Sequence, residues 1–181
     1  MVTSAGSDSG AAPATKYFSS SDPVWLLLAC ALVAVNLFVS LNDFRQARHT
    51  ETTRMHAQYV ADLIVRLSQQ RTAGKPGPEA CQPTSMWSTC QQGLLGMDAH
   101  AATLRNLLKP GGPVFSNGCD RQRPSTLGTI VIEVGTPKPN DPESLTYAPI
   151  QDEQVMKQRL PMRVAVCGRL YSKMLIADVV L

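Results

Sequence analysis

The first apolar stretch of the chain is long and nearly continuous. Residues 24–41 read VWLLLACALVAVNLFVSL, with only Asn36 and Ser40 as polar interruptions. No glycine or proline occurs from residue 24 to residue 73, so the pattern predicts one helix about 75 Å long at 1.5 Å per residue. Its apolar part covers about 27 Å, close to the hydrocarbon thickness of a bilayer. We therefore predict a transmembrane helix at residues 24–41.

After residue 41 the helical pattern becomes amphipathic. Residues 42–54 are mostly polar, and apolar residues then recur at helical spacing, at Met55, Tyr59, Val60, Leu63, Ile64 and Leu67. We call residues 42–73 the spine. Its apolar stripe must lie against the protein's own domain or against another helix, and we favour the near wall of the domain's own core. Gly74, Pro76 and Gly77 are predicted to end the helix.

The remaining residues, 74–181, predict a small head with an α+β fold. A compact loop from Cys81 to Cys90 precedes a second helical stretch, which Asp98 is predicted to cap and whose apolar face holds Ala101, Leu104, Leu107 and Leu108. The β-rich segments at residues 129–134, 162–167 and 174–181 predict an antiparallel sheet of about three strands. Between the first two, a proline-rich stretch at residues 135–161 is predicted to be a long irregular excursion, and residues 1–23 a disordered tail.

One face of the predicted transmembrane helix is small and weakly polar. Ala29, Asn36 and Ser40 share this face, and Cys30 and Ala34 lie four residues apart. Such a face lets a neighbouring helix approach closely, and an amide in hydrocarbon needs a hydrogen bond. We interpret Ala29, Asn36 and Ser40 as a partner face, with scattered small residues as the alternative.

Two signals in the sequence disagree about the side of the membrane on which the head lies. Arg45, Arg48 and Arg54 follow the apolar segment closely, which favours a cytoplasmic head. An even set of cysteines in one loop-rich head favours an oxidising compartment, and these are Cys81, Cys90, Cys119 and Cys167. We expect an extracytoplasmic, periplasmic head. No small-residue cleavage site closes the apolar segment, so we expect an uncleaved anchor.

The four cysteines fit disulfides better than a metal site. Structural zinc sites use closely spaced ligand pairs, whereas the nearest pair here, Cys81 and Cys90, is separated by eight residues. Four cysteines allow three pairings. We favour Cys81 with Cys90, which closes a short loop, and Cys119 with Cys167, which ties the segment before the first strand to the second.

Neither the charge of the chain nor its motifs indicate a nucleic-acid-binding protein or an enzyme. A net charge of +3, spread along the chain, lacks the clustered basic face of a nucleic-acid-binding protein. His49 and His56 are predicted to be solvated, and His100, near Asp98 and upstream of Cys119, lacks the surroundings of a thiol nucleophile. No glycine-rich phosphate loop or paired-carboxylate motif occurs. We predict no enzyme activity, no cofactor and no metal.

The layout resembles type IV pilins and pseudopilins, including the tight-adherence minor pseudopilins. The matching parts are the helix at residues 24–73, the three β-rich segments, and residues 160–167, which look like the late strand that ends in a cysteine. The segment Pro23-Val24-Trp25 has neither the glycine nor the later glutamate of a prepilin processing site.

The resemblance implies a non-enzymatic, single-pass, membrane-anchored subunit of a cell-envelope assembly, such as a pilus or secretion apparatus. Its partners would be other protein subunits, contacted through the transmembrane helix, the spine and the proline-rich excursion. Two other functions fit an anchored head: an accessory subunit of a membrane enzyme complex, for example a respiratory one, and a membrane-anchored sensor.

Overall fold

A computed structural model of the chain describes residues 23–75, 79–157 and 159–181. The fold is α+β, with one long N-terminal helix, α1 (Pro23–Thr72), and a small sheet, as the sequence predicts. The described residues divide into two compact units, with the boundary in sequence between Asn42 and Asp43, and α1 contributes to both. The predicted disordered tail lies outside the described residues except for Pro23.

The C-terminal end of α1 is set by Gly74, one of the residues predicted to end it. Gly74 has a φ of 65°, in the left-handed region. The amide of Lys75 donates to the carbonyl of Gln70 at 2.9 Å, and that of Gly74 donates to Arg71 at 3.1 Å. These two bonds form a Schellman motif, which uses carbonyls that the helix leaves unpaired. Pro76 and Gly77 lie outside the described residues.

Short helical segments follow α1, and two predictions for this region are wrong. Helix α2 (Trp87–Leu95) begins inside the segment predicted to be a loop, so Cys90 lies on a helix. The helix predicted after Asp98 is a single 3-10 turn, Ala101–Thr103. The cause lies at Asn106, whose Oδ1 accepts from the Lys109 amide at 2.9 Å. A side chain that bonds the nearby backbone in this way competes with helix formation.

The sheet is mixed and has five strands, where the sequence predicted about three antiparallel strands. The strands are β1 (Phe115–Ser116), β2 (Ile130–Lys138), β3 (Asp141–Pro149), β4 (Pro161–Cys167) and β5 (Lys173–Val180). Strand β2 pairs with β4 along one edge and with β1 and β3 along the other, and β5 pairs with β4. Among the strands of the described residues, the short β1–β2 pair is parallel and the other pairs are antiparallel. The three predicted strands correspond to β2, β4 and β5.

The predicted irregular excursion is largely a β-hairpin. Strand β2 extends to Lys138, and Lys138 is paired with Asp141, so the two residues between them, Pro139 and Asn140, make the turn. Prolines are tolerated in β3 because it is an edge strand that pairs only with β2. Apart from this turn, the described residues between β3 and β4, 150–157 and 159–160, belong to no strand.

The core of the second unit is formed by α1, α2 and one face of the sheet. Alternate strand residues Ile130, Ile132, Met162 and Val164 join the buried side chains of α1 in one cluster. The intervening residues Val131 and Ala165 are equally buried but lie outside that cluster, which places them on the opposite face. Cys167 shares that face by alternation, so its disulfide to Cys119 ties the segment around Cys119 to this side of the sheet.

Candidate interaction site

The first unit presents an entirely exposed apolar surface. Every described side chain from residue 23 to residue 42 is exposed, including the predicted partner face of Ala29, Asn36 and Ser40. Among the described residues, α1 is the one helix long and apolar enough to cross a membrane, and its most apolar window has a mean hydropathy of 2.5. Exposed apolar area of this extent on a helix requires a cover of lipid or protein.

The amide of Asn36 already has a hydrogen bond inside this helix. Its Nδ2 donates to the carbonyl of Leu32 at 2.8 Å. One of the two N–H donors of the amide is therefore satisfied within the helix, and the partner face at Ala29, Asn36 and Ser40 stays a prediction. The side chains of Ala29 and Ser40 on this face are small, which permits close packing of a neighbouring helix.

The spine buries its stripe against the core of its own unit, which is the interpretation we favoured. Leu63 and Leu67 are buried, as are Val60 and Ile64. Met55 is a wrong member of the stripe, since 55% of its surface is exposed. The buried face instead includes the small residues Thr53, Ala57 and Ala61.

Tyr59, another predicted stripe residue, is half-buried and belongs to a polar cluster. Its hydroxyl donates a hydrogen bond to the Asp98 carboxylate, and this bond raises the pKa of Tyr59 and lowers the pKa of Asp98. Arg66 lies 3.8 Å from Asp98, and the ring of His100 packs edge-on to Tyr59 at 4.5 Å. Asp98 also accepts from the Ala101 amide at 2.8 Å. Asp98 therefore binds the first residue of the 3-10 turn and attaches this turn to the spine.

The two histidines of the spine differ in environment. His49 is exposed, as predicted, whereas His56 is half-buried and lies close to the backbone of Arg105. The prediction of a solvated His56 is wrong. Burial lowers the pKa of His56, with smaller contributions from the nearby charges of His100 and Arg105.

Arg71 joins the end of the spine to the head. Its guanidinium donates to the carbonyls of Cys81 and Met156, the second at 3.3 Å. Burial lowers the pKa of Arg71, and the two carbonyls supply acceptors for a charge that is partly removed from water. Together with the Tyr59 cluster, Arg71 makes the spine part of the domain rather than a free helix.

The structure contains two disulfides, with the pairing that we favoured. Cys81 bonds Cys90, and Cys119 bonds Cys167. Cys119 therefore has no thiol to offer, which removes the nucleophile considered beside His100. Cys30 is the free cysteine of the described residues and lies exposed on the apolar segment.

Charged residues on the outer face of the sheet were not singled out in the sequence. Glu133 is only 4% exposed and accepts a hydrogen bond from Lys173 on β5. Arg163 donates to Asp178 at 2.8 Å and stacks 3.8 Å from the ring centroid of Tyr147. The alternation of Ile130, Ile132 and Val134 was a usable signal, because it assigns Glu133 to the other face.

This outer-face cluster borders a cavity of about 460 Å³. The four charged residues of the cluster form two ion pairs that link β2, β4 and β5: Glu133 with Lys173 and Arg163 with Asp178. The cluster is therefore suited to stabilising the sheet rather than to proton transfer. The described residues contain no group of three potential metal ligands. No protein family, curated protein or solved structure matches the chain.

Proposed function

We propose that the protein is a non-enzymatic, single-pass, membrane-anchored subunit of a cell-envelope assembly. The observation that supports this most is the contrast within α1. The same helix is apolar and fully exposed over residues 23–42 and buries one face in the core over residues 53–67. A lipid bilayer is the cover that best fits the first part, and the second part makes the helix integral to the head.

The architecture supports an envelope assembly through its compatibility with pilins and pseudopilins. A long N-terminal helix that is apolar in its first part, followed by a small sheet, is the layout of those proteins. Partner subunits would pack on the apolar helix at Ala29, Asn36 and Ser40. The hairpin of β2 and β3 is a second candidate contact, because its turn and much of β3 are exposed.

We place the head on the extracytoplasmic, periplasmic side. Two disulfides in one small unit suggest an oxidising compartment. The arginines after the apolar segment, Arg45, Arg48 and Arg54, support the competing proposal of a cytoplasmic head. That orientation would favour an accessory subunit of a membrane enzyme complex.

The orientation is tested by labelling thiols with a membrane-impermeant maleimide on spheroplasts, with and without reduction. A Cys30→Ser variant removes the free thiol, so any label reports the four cysteines of the head. Labelling that needs reductant but not lysis is the expected result. Labelling that needs lysis but no reductant would place the head inside, without disulfides, and would favour the accessory subunit.

A further inference from the structure

The turn between β4 and β5 exposes an apolar side chain on an unusual backbone. Leu170 has a φ of 62° and Tyr171 a φ of 58°, in the left-handed region that favours Gly and Asn. The Gly168 amide donates to the carbonyl of Ser172 at 2.8 Å and the Tyr171 amide donates to that of Gly168 at 3.1 Å, which closes the turn. Leu170 is 78% exposed, more than any other large apolar side chain described.

Two arginines lie beside this apolar residue. Arg121 and Arg169 border the same cavity of about 700 Å³ as Leu127, Leu170 and Tyr171, and we call these five residues the basic tip. Neither arginine forms a salt bridge among the described residues. The basic tip is therefore complementary to a surface that combines carboxylates with apolar side chains.

The turn between β2 and β3 is such a surface. Asp141 and Glu143 are exposed, and neither forms a salt bridge within the part of the chain that the structure describes. The Asp141 carboxylate accepts a hydrogen bond from the hydroxyl of Ser144, which does not neutralise its charge. Pro139 and Pro142 add exposed apolar surface beside the two carboxylates. We call residues 139–143 the acidic turn.

The lysine next to the acidic turn does not cancel its charge. Lys138 borders the outer-face cavity, together with Glu133 and Lys173. Even with Lys138 included, residues 138–143 have a net charge of −1, from two carboxylates and one ammonium group. The basic tip has a charge of +2 from its two arginines. The acidic turn and the basic tip are therefore opposite in charge, and both offer apolar surface.

The basic tip and the acidic turn lie at opposite ends of β2. Ile130, the first residue of β2, pairs with Val166, and the amide of Gly128 donates to the carbonyl of Cys167 at 2.8 Å. The start of β2 therefore lies beside the turn that follows β4. The acidic turn follows Lys138, the last residue of β2. A strand of nine residues at 3.3 Å per step separates its two ends by about 26 Å. The two surfaces of one chain are therefore too far apart to contact each other.

We propose that the basic tip of one chain binds the acidic turn of a second copy of the same chain. Arg121 and Arg169 pair with the carboxylates of Asp141 and Glu143, and guanidinium groups bind carboxylates in a bidentate manner. Leu170 packs against the exposed prolines of the acidic turn. Because the two contacting surfaces differ, each bound copy keeps one surface free, and further copies can add. The inference rests on the proposed function, since it names a second copy as one of the partner subunits.

The experiment measures disulfide cross-linking between two versions of the full chain in detergent. Both versions carry Cys30→Ser, so that the head cysteines are all in disulfides. One version has Ser172→Cys, beside the basic tip, and the other has Asn140→Cys, in the acidic turn, and both positions are exposed. A size tag on one version separates the mixed product from the two like-chain products on a non-reducing gel. In the matched control, Met55→Cys, at an exposed spine position, replaces Ser172→Cys.

We expect the mixed product to form faster than either like-chain product and faster than the Met55→Cys control, because two basic tips or two acidic turns repel each other. R121E/R169E in the Ser172→Cys version should slow the mixed product roughly tenfold, since it replaces two attractions between exposed charges with repulsions.

Charge reversal on the other side supplies the matched test. D141K/E143K in the Asn140→Cys version should slow the mixed product by a similar factor. A mixture in which both versions carry their reversed charges should cross-link at the original rate, because opposite charges then face each other again. The near-ultraviolet circular dichroism of each variant should be unchanged, since all the substituted positions are exposed.

Three results would overturn the proposal. A mixed product that forms no faster than the Met55→Cys control would assign the basic tip to an acidic surface of another protein. Unchanged rates after charge reversal would exclude the ion pairs. Slow cross-linking when both versions are reversed would show that the substitutions disturb each chain rather than the contact. Flotation of the same chains with membranes reports the anchor separately, so chains that float without cross-linking contradict the self-contact and not the proposed anchor.

Discussion

The two parts of α1 are both helical, but their apolar residues lie in opposite environments. Over residues 23–42 every side chain is exposed, whereas over residues 53–67 one face is buried. Leu28 is 51% exposed and Leu63 is fully buried, although both are leucines in the same helix. Helix formation therefore does not distinguish an anchor from a core element. The environment makes the difference. Residues 23–42 face solvent, which lipid must replace, whereas residues 53–67 face the core of their own unit.

The largest expected effect comes from the disulfide that closes the longer loop in the second unit, Cys119–Cys167. Cys119 and Cys167 are 48 residues apart in sequence, so replacing both with serine should cost about 4 kcal/mol of unfolding free energy in the chain-entropy estimate. The matched variant C81S/C90S opens a loop of sequence separation 9 and should cost about 2.5 kcal/mol. Urea unfolding in detergent measures both. Membrane association should be unchanged in each, because the first unit contains neither disulfide.

Truncating one leucine in each part of α1 makes the comparison directly. Leu63→Ala should lower the unfolding free energy by about 3.5 kcal/mol, because it removes buried contacts and leaves a cavity. Leu28→Ala should leave the same transition unchanged. Denaturant melts monitored by near-ultraviolet circular dichroism give both values. Equal losses for the two variants would mean that residues 23–42 belong to the folded core.

An added charge should affect the apolar segment and not the spine, which is the reverse of the pattern expected for the leucine truncations. Val33→Asp places a carboxylate in the middle of the apolar segment and should cost about 3 kcal/mol in membrane insertion. Met55→Asp, at an exposed spine position, should leave insertion unchanged. The fraction of chain that floats with membranes in a density gradient measures this. Normal flotation of Val33→Asp would argue against a spanning segment.

The smallest effect concerns pH and the spine alone. His56 has a pKa below its ordinary value of 6.5 because it is half-buried, so the unfolded chain binds a proton that the folded chain does not. Stability should be complete above pH 6.5 and fall as the pH drops below it. Asp98 contributes in the same direction only near and below its ordinary value of 3.8. His56→Gln should make stability depend less on pH between 6.5 and 3.8, the ordinary values of His56 and Asp98. Thermal melts in detergent measure this. An unchanged slope would show that another group titrates.

The sequence predicts features that depend on a local pattern, and it misses features that depend on contacts with residues far away in the chain. The helix and the strands β2, β4 and β5 follow from apolar periodicity. The cysteine pairing was a choice among three, and the structure has the favoured one. The β2–β3 hairpin was missed because its prolines argue against a strand, and only the edge position of β3 makes them tolerable. Pro139-Asn140, between Lys138 and Asp141, was a local turn signal that could have indicated it.

The other errors also have physical causes. The helix expected after Asp98 failed because Asn106 bonds the backbone around it, which periodicity alone does not reveal. Met55 was overvalued because it is large, whereas Ala57 and Ala61 form the buried face by being small enough for close packing. The turn between β4 and β5 could not be predicted for a further reason, since the positive φ of Leu170 and Tyr171 runs against their residue types.

The central claim, that residues 24–41 cross a bilayer, is tested most directly by alkaline carbonate extraction of membranes that contain the full chain. Carbonate strips peripheral proteins and leaves spanning helices in place. The account predicts that the chain remains in the membrane pellet and is released only by detergent. Recovery of the chain in the carbonate supernatant would contradict the anchor and every function proposed from it.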